Sequence, residues 1–202
     1  YVETLGLKFK TTRRNPDGSP RQTYVLAGDN IIGLHLPGVS AGVSSSGGPR
    51  IGVSVSSERL AQVTNNLRAA NHPFTGPVEH ASDAPLVRSI YFADPDGNHL
   101  EFCLRRVEPA SECISHTVFE TGNMRKALTF YSEVLGTGVP IACGAEMFLP
   151  AQNGQMIGLG LDPKASDLDG DGDLDLIASD ACGLYWLENR PADSAAVPAK
   201  LP

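Results

Sequence analysis

Five aspartates, Asp167, Asp169, Asp171, Asp173 and Asp175, alternate along nine residues, with Gly170 and Gly172 between them. Like charges this dense repel one another, and a folded chain tolerates them best around a hard cation. Calcium takes roughly six to eight oxygen ligands from a tight loop, with carboxylates at loop positions one, three and five, a backbone carbonyl at seven and a carboxylate at nine. Counted from Asp167, those positions are Asp167, Asp169, Asp171, the carbonyl of Asp173, and Asp175, and Gly172 follows the third ligand, where the chain must turn. The pattern predicts Ca2+ at the Asp167–Asp175 loop. The charge distribution points the same way. The chain is −7 overall, from 16 Lys+Arg against 23 Asp+Glu, and residues 162–180 alone hold seven aspartates against one lysine. The acidity is therefore local, and without a basic stripe the chain is not a general nucleic-acid binder.

The elements that would position such chemistry belong to a globular chain. With 202 residues, 41% hydrophobic and 19% charged, one or two packed cores are expected. No apolar run approaches the roughly 18 residues of a membrane span. Cys103, Cys113, Cys143 and Cys182 contain no CxxC pair; buried thiols are expected, with bridges open for a secreted protein. Tyr1–Leu5 reads as the end of a helix stopped by Gly6, Leu7–Arg14 and Arg21–Ala27 as strands paired around NPDGSP, and Ile31–Leu36 and Ile51–Val55 as further strands. Leu60, Val63, Leu67 and Ala70 recur at helical spacing over residues 57–70, with Ser57 as the N-cap. Val87–Ala93 and His99–Leu104 flank the turn DPDGN, and Ile114–Glu120 is a strand followed by an amphipathic helix over residues 123–135. YVETLG at the start recurs as YSEVLG at residues 131–136, which marks a repeated unit whose first copy begins mid-helix. His72, His80 and His99 fall in loops or beside turns and read as solvated, while Tyr91 and Phe92 alternate faces of one strand.

Two resemblances organise these segments. SDLDGDGDLDLIASD followed by GLYWLEN resembles the FG-GAP or VCBS repeat of β-propeller and adhesion-type extracellular proteins. SIYFADPDGNHLEF (residues 89–102) resembles the closing signature of the vicinal oxygen chelate superfamily, which includes glyoxalase I, extradiol ring-cleaving dioxygenases, and fosfomycin- and bleomycin-resistance proteins. ISHTVFETGNMRKALTFYSEVLG (residues 114–136) resembles the first strand and helix of the same superfamily.

The second resemblance implies an α+β fold of paired βαβββ modules with a curved mixed β-sheet around a divalent metal, here followed by a short β-rich calcium-loop segment. It implies ligands on the first, fourth, fifth and eighth strands. Carried over by position, Glu101 is the eighth-strand carboxylate and the catalytic candidate, and His116 the first-strand histidine of a following module. His35 lies on the fourth strand near its ligand position, while the fifth-strand position falls near Arg50 or Ile51, neither of them a metal ligand. Two imidazoles and a carboxylate would leave open positions on Fe2+, Mn2+, Ni2+ or Zn2+. A small molecule with adjacent oxygen atoms would chelate there, and the metal would stabilise an enediolate or activate O2.

The implied activity is that of a metal-dependent lyase or ring-cleaving dioxygenase, or a degenerate relative. A metal-free sequestering protein and a non-catalytic, calcium-stabilised extracellular protein remain the alternatives. The expected organisation is a domain over residues 1–106 lacking its first strand, a partial second module over 112–161, a single calcium repeat over 162–191 and a flexible tail over 192–202. The strand and helix of the partial module would then be able to fill the gap in the first, within one chain or by exchange in a homo-oligomer. The calcium repeat suggests an extracellular or periplasmic location and the enzyme-like part a cytoplasmic one.

Overall fold

The computed structural model describes residues 1–35, 49–151 and 154–162, and the strand backbones of residues 176–180 and 183–187. Three strands open the chain: β1 (Lys8–Arg14), β2 (Pro20–Ala27) and β3 (Asn30–His35) form an antiparallel meander. β4 (Arg50–Ser54), α1 (Ser57–Ala69), β5 (Thr75–Glu79), β6 (Leu86–Ala93) and β7 (His99–Arg105) follow. Next come β8 (Cys113–Thr121), α2 (Met124–Thr129) with a π-helical turn at Phe130–Val134, β9 (Ile141–Cys143), β10 (Glu146–Pro150) and β11 (Met156–Leu161). A separate antiparallel hairpin, β12 (Leu176–Asp180) and β13 (Gly183–Leu187), closes the described residues.

Strands β4 to β11 make one eight-stranded sheet in the order β5-β6-β7-β4-β8-β11-β10-β9. From its centre outward, each half reads first strand, fourth, third, second. β4 runs parallel to β7, β8 runs parallel to β11, and the halves join through the antiparallel pair β4–β8. Residues 50–105 and 113–161 are thus each a complete strand–helix–three-strand unit. The expected boundaries shift: β1–β3 follow the Tyr1–Gly6 turn as the three-strand part of one unit, Arg50–Ser54 opens a further unit with all its strands, and the partial module expected over 112–161 carries four strands, β8 to β11.

The local sequence accounts for most of these elements. α1 buries Leu60, Val63, Thr64 and Leu67, and the three aliphatic side chains contribute about 1.5–3 kcal/mol each on leaving water. Its cap is Ser56, not Ser57: the Ser56 Oγ accepts the Arg59 amide at 3.2 Å. The same core takes in Val25, Ala27 and Ile32 of the first sheet and Ile90, Phe92, Leu100 and Phe102 of the second. The expected helix over residues 123–135 is shorter than its pattern. Asn123 caps it, but the chain widens into the π turn, which buries Tyr131 against Phe119 and leaves Val134 and Leu135 in solvent.

The repeat is geometric as well as textual. Leu7 N–H donates to the Tyr1 carbonyl at 3.1 Å and Thr137 N–H to the Tyr131 carbonyl at 3.2 Å, around Gly6 and Gly136 at φ of 67° and 65°.

Candidate functional site

The two halves of the sheet meet at Glu101 on β7 and His116 on β8, both fully buried. Gly52 of β4 pairs with both strands, facing Glu101 on one side and His116 on the other. A Cβ on Gly52 would lie 2.1 Å from the His116 ring, so the imidazole can cross to Glu101 only because residue 52 has no side chain. His116 Nε2 lies 3.1 Å from Glu101 Oε2, and Ser115 Oγ is 2.9 Å from its Nδ1. Arg50, at the start of β4, donates from Nε to the same Glu101 oxygen at 2.9 Å and from its Nη2 to both oxygens of Glu146 on β10 at 2.6 and 2.8 Å. The Tyr91 ring lies under that guanidinium at 5.0 Å.

Glu101 fixes the protons around it. Burial alone would raise its carboxyl, but hydrogen bonding and charge from His116, then Arg50 and Ser89, hold it down to about 2. An ionised carboxylate only accepts. His116 Nε2 therefore carries a proton, and Ser89 donates its hydroxyl to Glu101 Oε1 at 2.6 Å. Having spent that proton, Ser89 Oγ accepts from His80 Nε2 at 2.9 Å. Burial of Arg50 works against its charge, but the carboxylates of Glu101 and Glu146 outweigh it and raise its pKa further.

No protein-family model and no curated protein matches the sequence. Solved structures do. A candidate dioxygenase from Bacillus subtilis superposes with a TM-score of 0.60 at 20% identity, over 82% of this chain and 59% of that one. Glyoxalase I from Zea mays gives a TM-score of 0.56 at 17% identity, over 83% of this chain and 63% of that one. The fold is glyoxalase-like. The chain spans about three fifths of the length of these proteins, and at such identities the likeness is one of architecture.

Of the residues a glyoxalase-like metal centre would draw on here, Glu101 and His116 come together and His35 does not join them. His35 sits exposed on β3, in the other sheet, beside Gln22. Among the described residues no three His, Cys, Asp or Glu side chains converge to hold a metal ion. The position beside Glu101 is taken by a guanidinium, a fixed cation that neutralises the carboxylates a metal would need. The residues present do not fit a divalent metal. Asp167, Asp169, Asp171, Asp173 and Asp175 lie outside the described residues, as does Cys182.

Two of the three histidines expected in solvent, His72 and His80, are half-buried and bonded, while His99 is exposed as expected. His80 is bound into the site, and its Nδ1 lies 3.4 Å from Cys143 Sγ. His72 Nε2 meets the Ala93 carbonyl at 2.6 Å with its ring edge-on to Phe92. His99 lines a cavity of about 210 Å³ together with Arg50, Glu146, Glu120, Val118 and Leu161. His80, Cys143 and Glu146 belong to no local motif, and Ser89 and Arg50 fall at motif positions without a signal of their role; only the sheet order assembles the five.

Proposed function

We propose that this glyoxalase-like chain is a small-molecule-binding protein whose cleft works with the Arg50 guanidinium where a metal-dependent relative would place a divalent cation. The observation that supports this is the bridge of Arg50 between Glu101 and Glu146. Displacing it would leave Glu146 without its counter-charge and the wholly buried Glu101 with only His116 and Ser89 to offset its charge. The adjoining cavity, at about 210 Å³, is below the roughly 300–1,000 Å³ of common ligand sites and suits a molecule of few atoms. Glu120, Glu146 and Arg50 would meet its donors and acceptors, and Val118 and Leu161 its apolar side. Sequestration, as in the metal-free alternative, accounts for this arrangement better than a lyase or ring-cleaving dioxygenase step.

The test is metal loading of the full chain with Zn2+, Mn2+, Ni2+ and anaerobic Fe2+, read by elemental analysis. The acidic loop is a separate cation site, so only metal that disappears in the His116→Gln variant is counted. The expected result is well under one equivalent in the wild type and a gain in Arg50→Ala, where Glu101, His116 and Glu146 lose the competing cation. A full equivalent in the wild type that His116→Gln removes would overturn the reading. For residues 162–191 the alternating aspartates support a calcium loop ahead of the β12–β13 hairpin, with a structural rather than catalytic ion.

A further inference from the structure

A second cleft lies on the far side of Glu146, about 330 Å³ in volume, walled by His80, Tyr91, Cys143, Glu79 and Glu146. It holds a thiol beside an imidazole whose proton arrangement is already fixed. Since Glu101 is ionised, Ser89 gives it its hydroxyl proton, and His80 gives its Nε2 proton to Ser89. With Nε2 engaged as the donor, Nδ1 is the nitrogen of His80 left to accept, and it lies 3.4 Å from Cys143 Sγ. The chain Cys143–His80–Ser89–Glu101 has the logic of an activated nucleophile: base adjacent to thiol, base oriented by a third group, third group anchored by a buried charge.

We propose that Cys143 and His80 form a nucleophile–base pair, and that this cleft captures an uncharged α,β-unsaturated carbonyl compound as a thioether on Cys143. In the step, the Cys143 Sγ–carbon bond forms at the β-carbon while the carbon–carbon π pair moves toward the carbonyl. The thiol proton passes to His80 Nδ1 and from there to the α-carbon, so nothing is oxidised or reduced. The Tyr91 hydroxyl, 3.4 Å from His80 Nε2 and on the cleft wall, is placed to donate to the carbonyl oxygen as it gains charge. Glu79 and Glu146 on the same wall disfavour anionic electrophiles.

Burial, with Glu146 and Glu101 adding to it, pushes the Cys143 thiol up to about 11, so at rest the thiol keeps its proton. The imidazole acts as general base during attack, and no ion pair needs to pre-exist. The inference does not depend on Arg50 excluding a metal, and its test uses a different readout.

Cys103 and Cys113 serve as internal references. Cys103 is wholly buried beside Ser115, and Cys113 is partly exposed with no imidazole partner among the described residues. The experiment is the rate of N-ethylmaleimide addition to the native full chain at neutral pH, with each modified cysteine located by peptide mass spectrometry. Cys143 is expected to react at least about tenfold faster than Cys113, with Cys103 silent; His80→Gln is expected to cut the Cys143 rate about a hundredfold while leaving Cys113 unchanged, the lower end of the range for a general base. Cys143 labelling no faster than Cys113 in the wild type would overturn the proposal, as would a His80→Gln variant that labels Cys143 at the wild-type rate. Labelling of Cys103 in a variant reports unfolding, and the wild-type comparison then decides.

Discussion

At the scale of the residue, one carboxylate governs the neighbourhood. Glu101 accepts from Ser89, Arg50 and His116 in a site closed to solvent, and its pKa falls from the ordinary 4.5 to about 2. A depressed carboxyl stabilises the fold fully above its unfolded pKa, and that contribution is lost as pH drops toward the folded value. Urea melts between pH 5 and about 2 are therefore expected to show a steep loss of stability that Glu101→Gln flattens. At neutral pH the same substitution removes the charged partner of buried His116 and leaves Arg50 with Glu146 alone, and is expected to cost about 3 kcal/mol. A wild-type pH profile equal to that of the variant would show that the buried pair contributes nothing. Glu101 and His116 were legible in the sequence because each sits in a recognisable strand motif. Their real counter-ion was not: Arg50 fell at an expected ligand position and was set aside because an arginine binds no metal, and that chemistry is what the structure uses.

At the scale of the element, the sequence spoke most clearly where periodicity and punctuation agreed. The helix at residues 57–69 and the two strands around DPDGN stand where apolar spacing and turn residues placed them. The failures have physical reasons. Ile141–Cys143 and Glu146–Pro150 are too short to show alternation, yet they pair with each other, and Glu146–Pro150 also pairs with β11. The π turn after α2 follows a helical pattern to the eye, because only tertiary packing of Tyr131 against Phe119 selects the wider turn. The cap of α1 offers a sharp test of detail, since two serines adjoin. Ser56→Ala is expected to cost about 1 kcal/mol and Ser57→Ala only a few tenths. Chemical melts of the two variants measure the difference, and equal costs would place the cap elsewhere.

At the scale of the whole molecule, the sequence made the presence of repeated units visible but not their boundaries. The Tyr–Gly motif marked equivalent turns, whereas β4 and β7 pair in parallel across the 44 residues 55–98, and nothing local announces such a contact. The calcium reading also belongs to this scale, since it concerns most of the net charge. Calorimetric melts in calcium and in chelator are expected to differ if the Asp167–Asp175 loop holds an ion that the unfolded chain does not. Identical melts, with no bound calcium by elemental analysis, would remove it.

The seam between the halves of the eight-stranded sheet is the β4–β8 pairing, and the chain that joins them, residues 106–112, is mostly exposed. Each half contains all four of its own strands and its own helix. In assembly terms the molecule is a tethered heterodimer. The tether keeps the second half at high effective concentration beside the first, and its Glu112 pairs with Arg59 of α1 at 3.0 Å. Glu101 on one side and His116 on the other are then an interfacial pair, so drift in either half is constrained by its partner across the seam.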